Sequence, residues 1–172
     1  MTDAATQQAV PAPDLQRRDD MGRLVAIVWH GAGAADASPG SARWLVAVDG
    51  SPCSLRAVAM VVGLATLEKG AGVDLVHVPP WLNKEAAETE LPRRGWAATA
   101  QARELLDAAS VRWRVHVVMG EGAPEIASLA DTLGSRGIAI GSRGLTATAS
   151  LLLGSVAYQV VHLARLPVLI VR

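Results

Sequence analysis

The sequence has no excess of either charge, because it contains 16 basic and 16 acidic residues. A balanced chain lacks the basic surface that attracts nucleic acid or an anionic membrane, so we expect neither as a partner. No apolar run approaches the ~18 residues of a membrane-spanning helix. The only cysteine is Cys53, which excludes an internal disulfide framework and favours a cytoplasmic location.

Aromatic residues are also scarce, with five Trp, one Tyr and no Phe. This set offers no platform for stacking nucleic-acid bases, and we expect the Trp residues to fill the core and interfaces. Apolar residues nevertheless make up 51% of the chain, and the mean hydropathy is +0.28. The 172 residues suffice for one domain with a sizeable core. The apolar character predicts that some surface is buried against a partner.

The beginning of the chain differs in composition from the rest. Residues 1–22 are polar and predict a disordered tail, without the early positive charge and long apolar region of a signal peptide. The apolar run from Leu24 to Trp29 predicts a strand, and residues 31–41 predict a flexible linker. We therefore divide the chain into an N-terminal extension, 1–40, and a domain, 41–172. Since exposing the apolar run to water would be costly, we expect this arm to lie against a sheet edge or a neighbouring subunit.

From residue 44 onward, apolar runs typical of buried strands alternate with segments of helical periodicity. The predicted strands are 44–48, 73–78, 112–118, 138–140 and 168–171, and the predicted helices begin at Pro52, near Trp96, at Pro124 and at Gly154. This alternation predicts an α/β, Rossmann-like fold, with a five-stranded parallel sheet in the order 3-2-1-4-5 and helices on both faces. The third strand alternates polar and apolar residues, which predicts an edge position. Residues 79–95 contain three prolines and predict a long loop.

A glycine pattern follows the fourth predicted strand. The strand ends at Gly141, Gly144 follows, and Gly154 and Ser155 come after nine further residues. Glycine lets backbone N–H groups approach an anion closely, and the start of a helix attracts anions. Ser155 can cap this helix or donate to a phosphate oxygen. Ligands of such sheets bind at the carboxyl ends of the strands, so Asp49, at the end of the first strand, is expected to face the same crevice.

The spacing G-x2-G-x9-G-S, formed by Gly141, Gly144, Gly154 and Ser155, resembles the nucleotide-binding signature of the universal stress protein family. The resemblance extends over about 43–172 through VAVDGS, IGSRG, LLLGSVAYQVV and the ending LPVLIVR. It implies a single-domain member of the ATP-binding type that carries an N-terminal extension. Ala157 is a departure, because some ATP-binding members have a hydroxyl residue there.

The resemblance implies ATP as the ligand, accompanied by Mg²⁺ or Mn²⁺. It also implies that Asp49 contacts the nucleoside, that the end of the second strand borders the adenine, and that the glycines and Ser155 hold the ribose and phosphates. No catalytic and no metal-ligating side chain is expected. The residues expected to line the site are Ala47, Val48, Asp49, Val76, His77, Val78, Ile140, Gly141, Ser142, Arg143, Gly144, Gly154, Ser155 and Val156.

The sequence contains no P-loop, zinc-protease or nucleophile-elbow motif, so we expect a binding protein with at most slow ATP hydrolysis rather than an enzyme. The favoured function is that of a stress-response or regulatory protein whose nucleotide state changes its shape or partners. Two alternatives stay open. One is a dimeric interaction protein of the same fold that binds no nucleotide, and the other is a nucleotide-cleaving enzyme.

The last predicted strand is apolar at every position and lies at an edge of the predicted sheet. Such an edge invites another strand, and pairing with its own copy across a two-fold axis would satisfy it. The resemblance implies the same antiparallel contact. We therefore predict a homodimer through Val168, Leu169, Ile170 and Val171. The alternative is that the Leu24 arm covers this edge and keeps the chain monomeric.

Overall fold

The computed structural model describes residues 9–32, 43–68, 71–145 and 153–172. Its strands are β1 (Leu15–Arg18), β2 (Leu24–His30), β3 (Trp44–Ala47), β4 (Gly72–His77), β5 (Arg112–Val118), β6 (Gly137–Gly141) and β7 (Val168–Val171). Its helices are α1 (Pro52–Leu67), α2 (Lys84–Ala98), α3 (Ala100–Ala108), α4 (Gly122–Leu133) and α5 (Ser155–Leu163). The α/β class predicted from the alternating pattern is confirmed.

All the strands belong to one mixed sheet with the order β1-β2-β5-β4-β3-β6-β7. The prediction of a five-stranded, fully parallel sheet is therefore wrong. The five strands from β3 to β7 are parallel and follow the predicted order, while β1 and β2 extend the sheet beyond β5 in antiparallel orientation. The rule of right-handed crossovers limits the possible orders of parallel strands that helices connect, and it says nothing about where an antiparallel arm attaches.

Strand β2 is the apolar arm of the N-terminal extension, and it pairs with β5 from Ala26 opposite Val118 to His30 opposite Arg114. Leu24, Ile27 and Trp29 are buried in the core beneath it. The arm is therefore ordered against a sheet edge, as its apolar character predicts. The predicted edge position of β5 is wrong, because β2 covers that edge.

The polar positions of β5 have a different cause, which is a buried ionic cluster. Asp74 of β4 is fully buried and accepts hydrogen bonds from Arg114 Nε at 2.6 Å and from the second terminal nitrogen of Arg114 at 2.7 Å. His116 Nε2 lies 3.4 Å and a terminal nitrogen of Arg43 3.5 Å from the same carboxylate. Burial by itself would raise the pKa of Asp74, but the hydrogen bonds from Arg114 and His116 outweigh it and hold this pKa at about 2.

Two further local predictions are wrong. Residues 79–95 do not form a loop throughout, because α2 begins at Lys84, where the Asn83 side chain accepts a hydrogen bond from Ala86 N at 2.8 Å. Two of the three prolines precede this helix and only Pro92 lies inside it. Residues 1–22 are not all disordered, because Leu15–Arg18 forms β1, an exposed edge strand. The predicted linker falls almost wholly on residues 33–42, outside the described residues.

Two apolar clusters lie on the opposite faces of the sheet. One contains Val73 and Leu75 of β4 and packs against α1, α2 and α3, and the other contains Val76 and Ile140 and packs against α4 and α5. Helices therefore cover both faces of the parallel part, as predicted. None of the helices in the described ranges combines the length and the apolarity that crossing a membrane requires.

Candidate functional site

A cavity of about 650 Å³ opens at the carboxyl ends of β3, β4 and β6. Its volume falls in the range of typical ligand pockets. The residues predicted to form the site all line this cavity: Ala47, Val48, Asp49, Val76, His77, Val78, Ile140, Gly141, Ser142, Arg143, Gly144, Gly154, Ser155 and Val156. The structure thus brings together segments that are more than 100 residues apart in the sequence, and their contacts with a ligand stay a prediction.

The glycine pattern forms one end of the cavity. Strand β6 ends at Gly141, and the chain returns so that Gly154 N donates to Ser142 O at 2.7 Å. Gly154 is the N-cap residue of α5, and no side chain of the described residues caps this helix. Ser155 occupies the first helical turn and does not act as the cap. The N–H groups of the first turn are therefore available to an anion.

Asp49 lies between the glycine end and the start of α1. Its Oδ1 accepts from Ser51 N at 2.9 Å, and its Oδ2 accepts from Leu145 N at 3.1 Å. Burial would raise the pKa of Asp49, but the hydrogen bonds from Ser51 and Leu145 contribute to a net lowering, so the carboxylate is ionised at neutral pH. A carboxylate has about four lone-pair positions. Asp49 can therefore hold the loop at Leu145 and still accept hydrogen bonds from a ligand hydroxyl.

The other end of the cavity is the carboxyl end of β4. Val76 is buried, and His77 Nδ1 lies 2.8 Å from Val48 O. Because a carbonyl oxygen only accepts, Nδ1 carries the proton, and burial lowers the pKa of His77, so the ring is neutral at pH 7. This end of the cavity is apolar and uncharged, which suits a planar heterocycle better than a phosphate.

Six residues that line the cavity are missing from the set predicted from the sequence. Ser54, Pro80, Gly122, Ile126, Leu145 and Ala157 also line it. A Cβ on Gly122 would lie 3.2 Å from Val156 Cγ1, so α4 begins directly against the first turn of α5. The signal was present in the sequence, because Gly122 follows the third predicted strand and the carboxyl ends of parallel strands meet at one edge.

The sequence of this chain is similar to a family model and to several known proteins. Residues 42–172 match the model of the universal stress protein family. The chain is 31% identical over 150 residues to universal stress protein YxiE of Bacillus subtilis, which covers 76% of this chain and 98% of YxiE. It is 31% identical over 156 residues to a universal stress protein of Mycobacterium tuberculosis, covering 86% of this chain but only 51% of that protein. This chain thus matches about half the length of the mycobacterial relative.

A solved structure supports the fold. The universal stress protein of Archaeoglobus fulgidus in complex with dAMP superimposes with a TM-score of 0.62 at 23% identity, over 76% of this chain and 98% of that chain. A likeness at this identity concerns the fold alone. The match to the family model and the relatives at 31% identity carry the assignment. This chain belongs to the universal stress protein family.

Proposed function

We propose that this protein binds ATP, accompanied by Mg²⁺ or Mn²⁺, and acts as a nucleotide-dependent stress-response or regulatory protein. The observation that carries the proposal is the polarity of the cavity. Its glycines and the start of α5, which no side chain of the described residues caps, lie at one end, and the apolar end of β4 lies at the other. Strand β3 separates these ends. Since neighbouring strands lie ~5 Å apart, the separation from β6 to β4 is ~10 Å, which suits a nucleoside with its phosphates at the glycine end.

Each part of the nucleotide has a matching part of the cavity. Phosphates would accept from the N–H groups at the start of α5, the ribose hydroxyls would donate to Asp49, and the adenine would lie against Val76 and Val78. The structural neighbour from Archaeoglobus fulgidus was solved with dAMP, an adenine nucleotide. Among the described residues no cluster of acidic, His or Cys side chains could hold a metal ion. The cation would therefore be bound mainly through the phosphates.

Nothing in this arrangement requires catalysis. Asp49, the acidic residue that lines the cavity, has a lowered pKa, which makes it a weak base. We propose a cytoplasmic binding protein whose nucleotide state alters its surface. The buried free thiol of Cys53 is compatible with a reducing compartment.

Replacing Gly154 with valine is expected to weaken ATP binding by roughly tenfold or more, because a branched side chain would stand over the N–H groups that bind phosphate. Calorimetric titration with ATP measures this change, and mass spectrometry of nucleotide released from the denatured wild type identifies a co-purified ligand. Gly63→Val is the matched control, since a Cβ on Gly63 meets nothing within 4 Å. Equal ATP affinity in the Gly154 variant and the wild type would refute the site.

We also propose that the protein is a homodimer through β7. This strand lies at the edge of the sheet opposite to β1, so the Leu24 arm does not cover it. Ile170 is 38% exposed, and α5 beside it exposes Tyr158, Val161 and Leu163. An apolar strand edge continuous with an apolar helix surface supports a strand-to-strand contact between two copies.

Replacing Ile170 with lysine is expected to shift the protein from dimer to monomer, because the contact would bury two like charges near the two-fold axis. Sedimentation equilibrium at micromolar concentration should then give a mass near 17.9 kDa for the variant and twice that for the wild type. Leu15→Lys on the exposed strand β1 is the control and should stay dimeric. A wild-type mass near 17.9 kDa would end the dimer proposal.

A further inference from the structure

The turn of the N-terminal hairpin, residues 19–23 between β1 and β2, lies at the same end of the sheet as the cavity. Strand β2 is antiparallel to β5, so its first residues adjoin the carboxyl end of β5, where Met119 N donates to Val25 O at 3.0 Å. The cavity opens at the carboxyl ends of the parallel strands. The hairpin turn and the cavity therefore lie at the same height along the strands, although the turn belongs to the N-terminal extension.

The turn is fixed by its own hydrogen bonds. Asp19 Oδ1 accepts from Arg23 N at 2.9 Å and from Met21 N at 3.1 Å, and Asp19 Oδ2 accepts from Arg23 Nε at 2.9 Å. Gly22 takes a φ of +73°, which a glycine adopts without strain. A terminal nitrogen of Arg23 also lies 2.9 Å from Asp19 Oδ2, so the carboxylate orients the guanidinium and leaves its other terminal nitrogen to reach beyond the turn.

The guanidinium and the turn backbone contact the segment that connects β4 to α2, residues 79–83, here called the cavity loop. The Arg23 guanidinium lies 4.8 Å from the centre of the Trp81 ring, within the range of a cation–π interaction, and its terminal nitrogen donates to Leu82 O at 3.4 Å. At the first residue of α2, Lys84 Nζ donates to Met21 O at 2.9 Å. The hairpin therefore holds both the middle and the far end of the cavity loop.

The cavity loop is also a wall of the cavity. Pro80 lines it, beside Val78, on the side where the end of β4 provides the apolar surface. Apart from the hairpin, the loop is held by the hydrogen bond from Gly120 N to Pro79 O at 3.1 Å, by packing of Leu82 on the core, and at its far end by the Asn83 side chain, which accepts from Ala86 N at 2.8 Å. Trp81 is 54% exposed, so the Arg23 contact restrains a side chain that core packing leaves largely in solvent.

We infer that the N-terminal hairpin is a brace that sets the position of the cavity loop, and that Arg23 is its positioning residue. The inference rests on the proposed nucleotide binding for its effect on affinity. The extension would then change the affinity for the nucleotide at the adenine end of the site without contacting the ligand. The family model begins at residue 42, so the brace is an addition to the part of the chain that the family shares.

The test compares Arg23→Met with Arg18→Met in the full-length chain. Arg18 lies in the same hairpin, where it donates to Gly22 O of the turn at 3.0 Å and to Glu88 of α2 at 3.1 Å, and among the described residues it makes no hydrogen bond to the cavity loop. Arg23→Met should weaken ATP binding roughly three- to tenfold and raise by a similar factor the exchange rate of the Gly120 amide, which donates to Pro79 O of the cavity loop, whereas Arg18→Met should change neither by more than about twofold. Binding of inorganic triphosphate, which lacks the base, should be unchanged in both variants.

The outcomes separate the brace from the proposed function. Unchanged exchange of the Gly120 amide in Arg23→Met overturns the brace, as does an equal effect of both substitutions. A loss of ATP and triphosphate binding by the same factor also overturns it, because the effect would not be confined to the adenine end. If the wild type binds no adenine nucleotide, the proposed function fails, and the exchange comparison alone decides whether the hairpin positions the loop.

Discussion

Replacing Asp74 with asparagine is expected to lower the free energy of unfolding by about 3–5 kcal/mol, the range for removing one partner of a buried ion pair. Asp74 is fully buried, and Arg43 is 4% exposed. Among the described residues Arg43 Nε and one of its terminal nitrogens already have no hydrogen-bond partner. An asparagine would leave the buried guanidinium of Arg43 and the partly buried guanidinium of Arg114 without their counter-charge.

The control is Glu90→Gln on the surface of α2. Glu90 also has a pKa lowered to about 2, through hydrogen bonds from Arg93 and Arg94, but its side chain is 28% exposed, whereas that of Asp74 is 1% exposed. Its substitution should leave the melting temperature nearly unchanged, because exposed ion pairs are screened by water and salt. Both carboxyl groups have a low pKa, but only Asp74 is buried. Thermal and urea unfolding of the two variants would therefore show whether burial of the charge, rather than the low pKa, determines the loss of stability. Equal stability of Asp74→Asn and the wild type would show that the cluster does not stabilise the fold.

The same carboxylate predicts a dependence of stability on pH. The pKa of Asp74 is about 2 in the folded protein and ~3.9 in an unfolded chain. The stabilisation is therefore complete above pH ~4 and is lost as the pH falls towards 2, because the unfolded state binds the proton first. Urea unfolding between pH 5 and pH 2.5 should show a shallower decline for Asp74→Asn than for the wild type.

This cluster also shows what sequence reasoning could not provide. Arg114 and His116 alternate with apolar residues in β5, which is the pattern of an exposed sheet face, and their partner Asp74 lies about 40 residues earlier on another strand. The register that places Asp74 beside Arg114 follows from strand pairing and not from local pattern. A polar alternation can therefore indicate either solvent or a buried counter-charge, and only the fold decides between them.

The elements that were predictable share a local cause. The apolar runs of β3 and β6, the Ser51 cap of α1 and the glycine spacing after β6 are each encoded within a few residues. The attachment of β2 to β5 depended on surfaces distant in the sequence, and so did the continuation of α2 through Pro92, although Asn83 caps the start of this helix locally. In α2 the buried residues Ala87 and Leu91 outweigh the effect of Pro92, which a purely local view takes as a helix breaker.

Replacing Gly141 with alanine is expected to destabilise the fold by about 1–3 kcal/mol or more, as overpacking of a core does. A Cβ at this position would lie 2.6 Å from the carbonyl carbon of Cys53 and 2.7 Å from Ser54 N, both backbone atoms of the first turn of α1. Helix α1 and strand β6 therefore approach each other as closely as a glycine allows. This requirement exists whether or not a nucleotide binds.

Gly154→Ser is expected to give the opposite result. A Cβ on Gly154 would lie 3.4 Å from Ser142 O, an ordinary contact, and its φ of −72° and ψ of 157° suit a serine N-cap. The stability should stay equal or rise by a few tenths of a kcal/mol. ATP affinity should nevertheless fall roughly tenfold, because the new hydroxyl competes with phosphate for the N–H groups of α5.

Measured together by urea unfolding and calorimetric titration with ATP, the two variants separate the two roles of the glycine pattern. Gly141 is needed because β6 and α1 are in backbone contact, while Gly154 is needed because a ligand must reach the start of α5. Wild-type stability in Gly141→Ala would mean that α1 can move away from β6. Wild-type ATP affinity in Gly154→Ser would mean that phosphate does not bind at α5, and it would leave the glycine spacing with only a structural explanation.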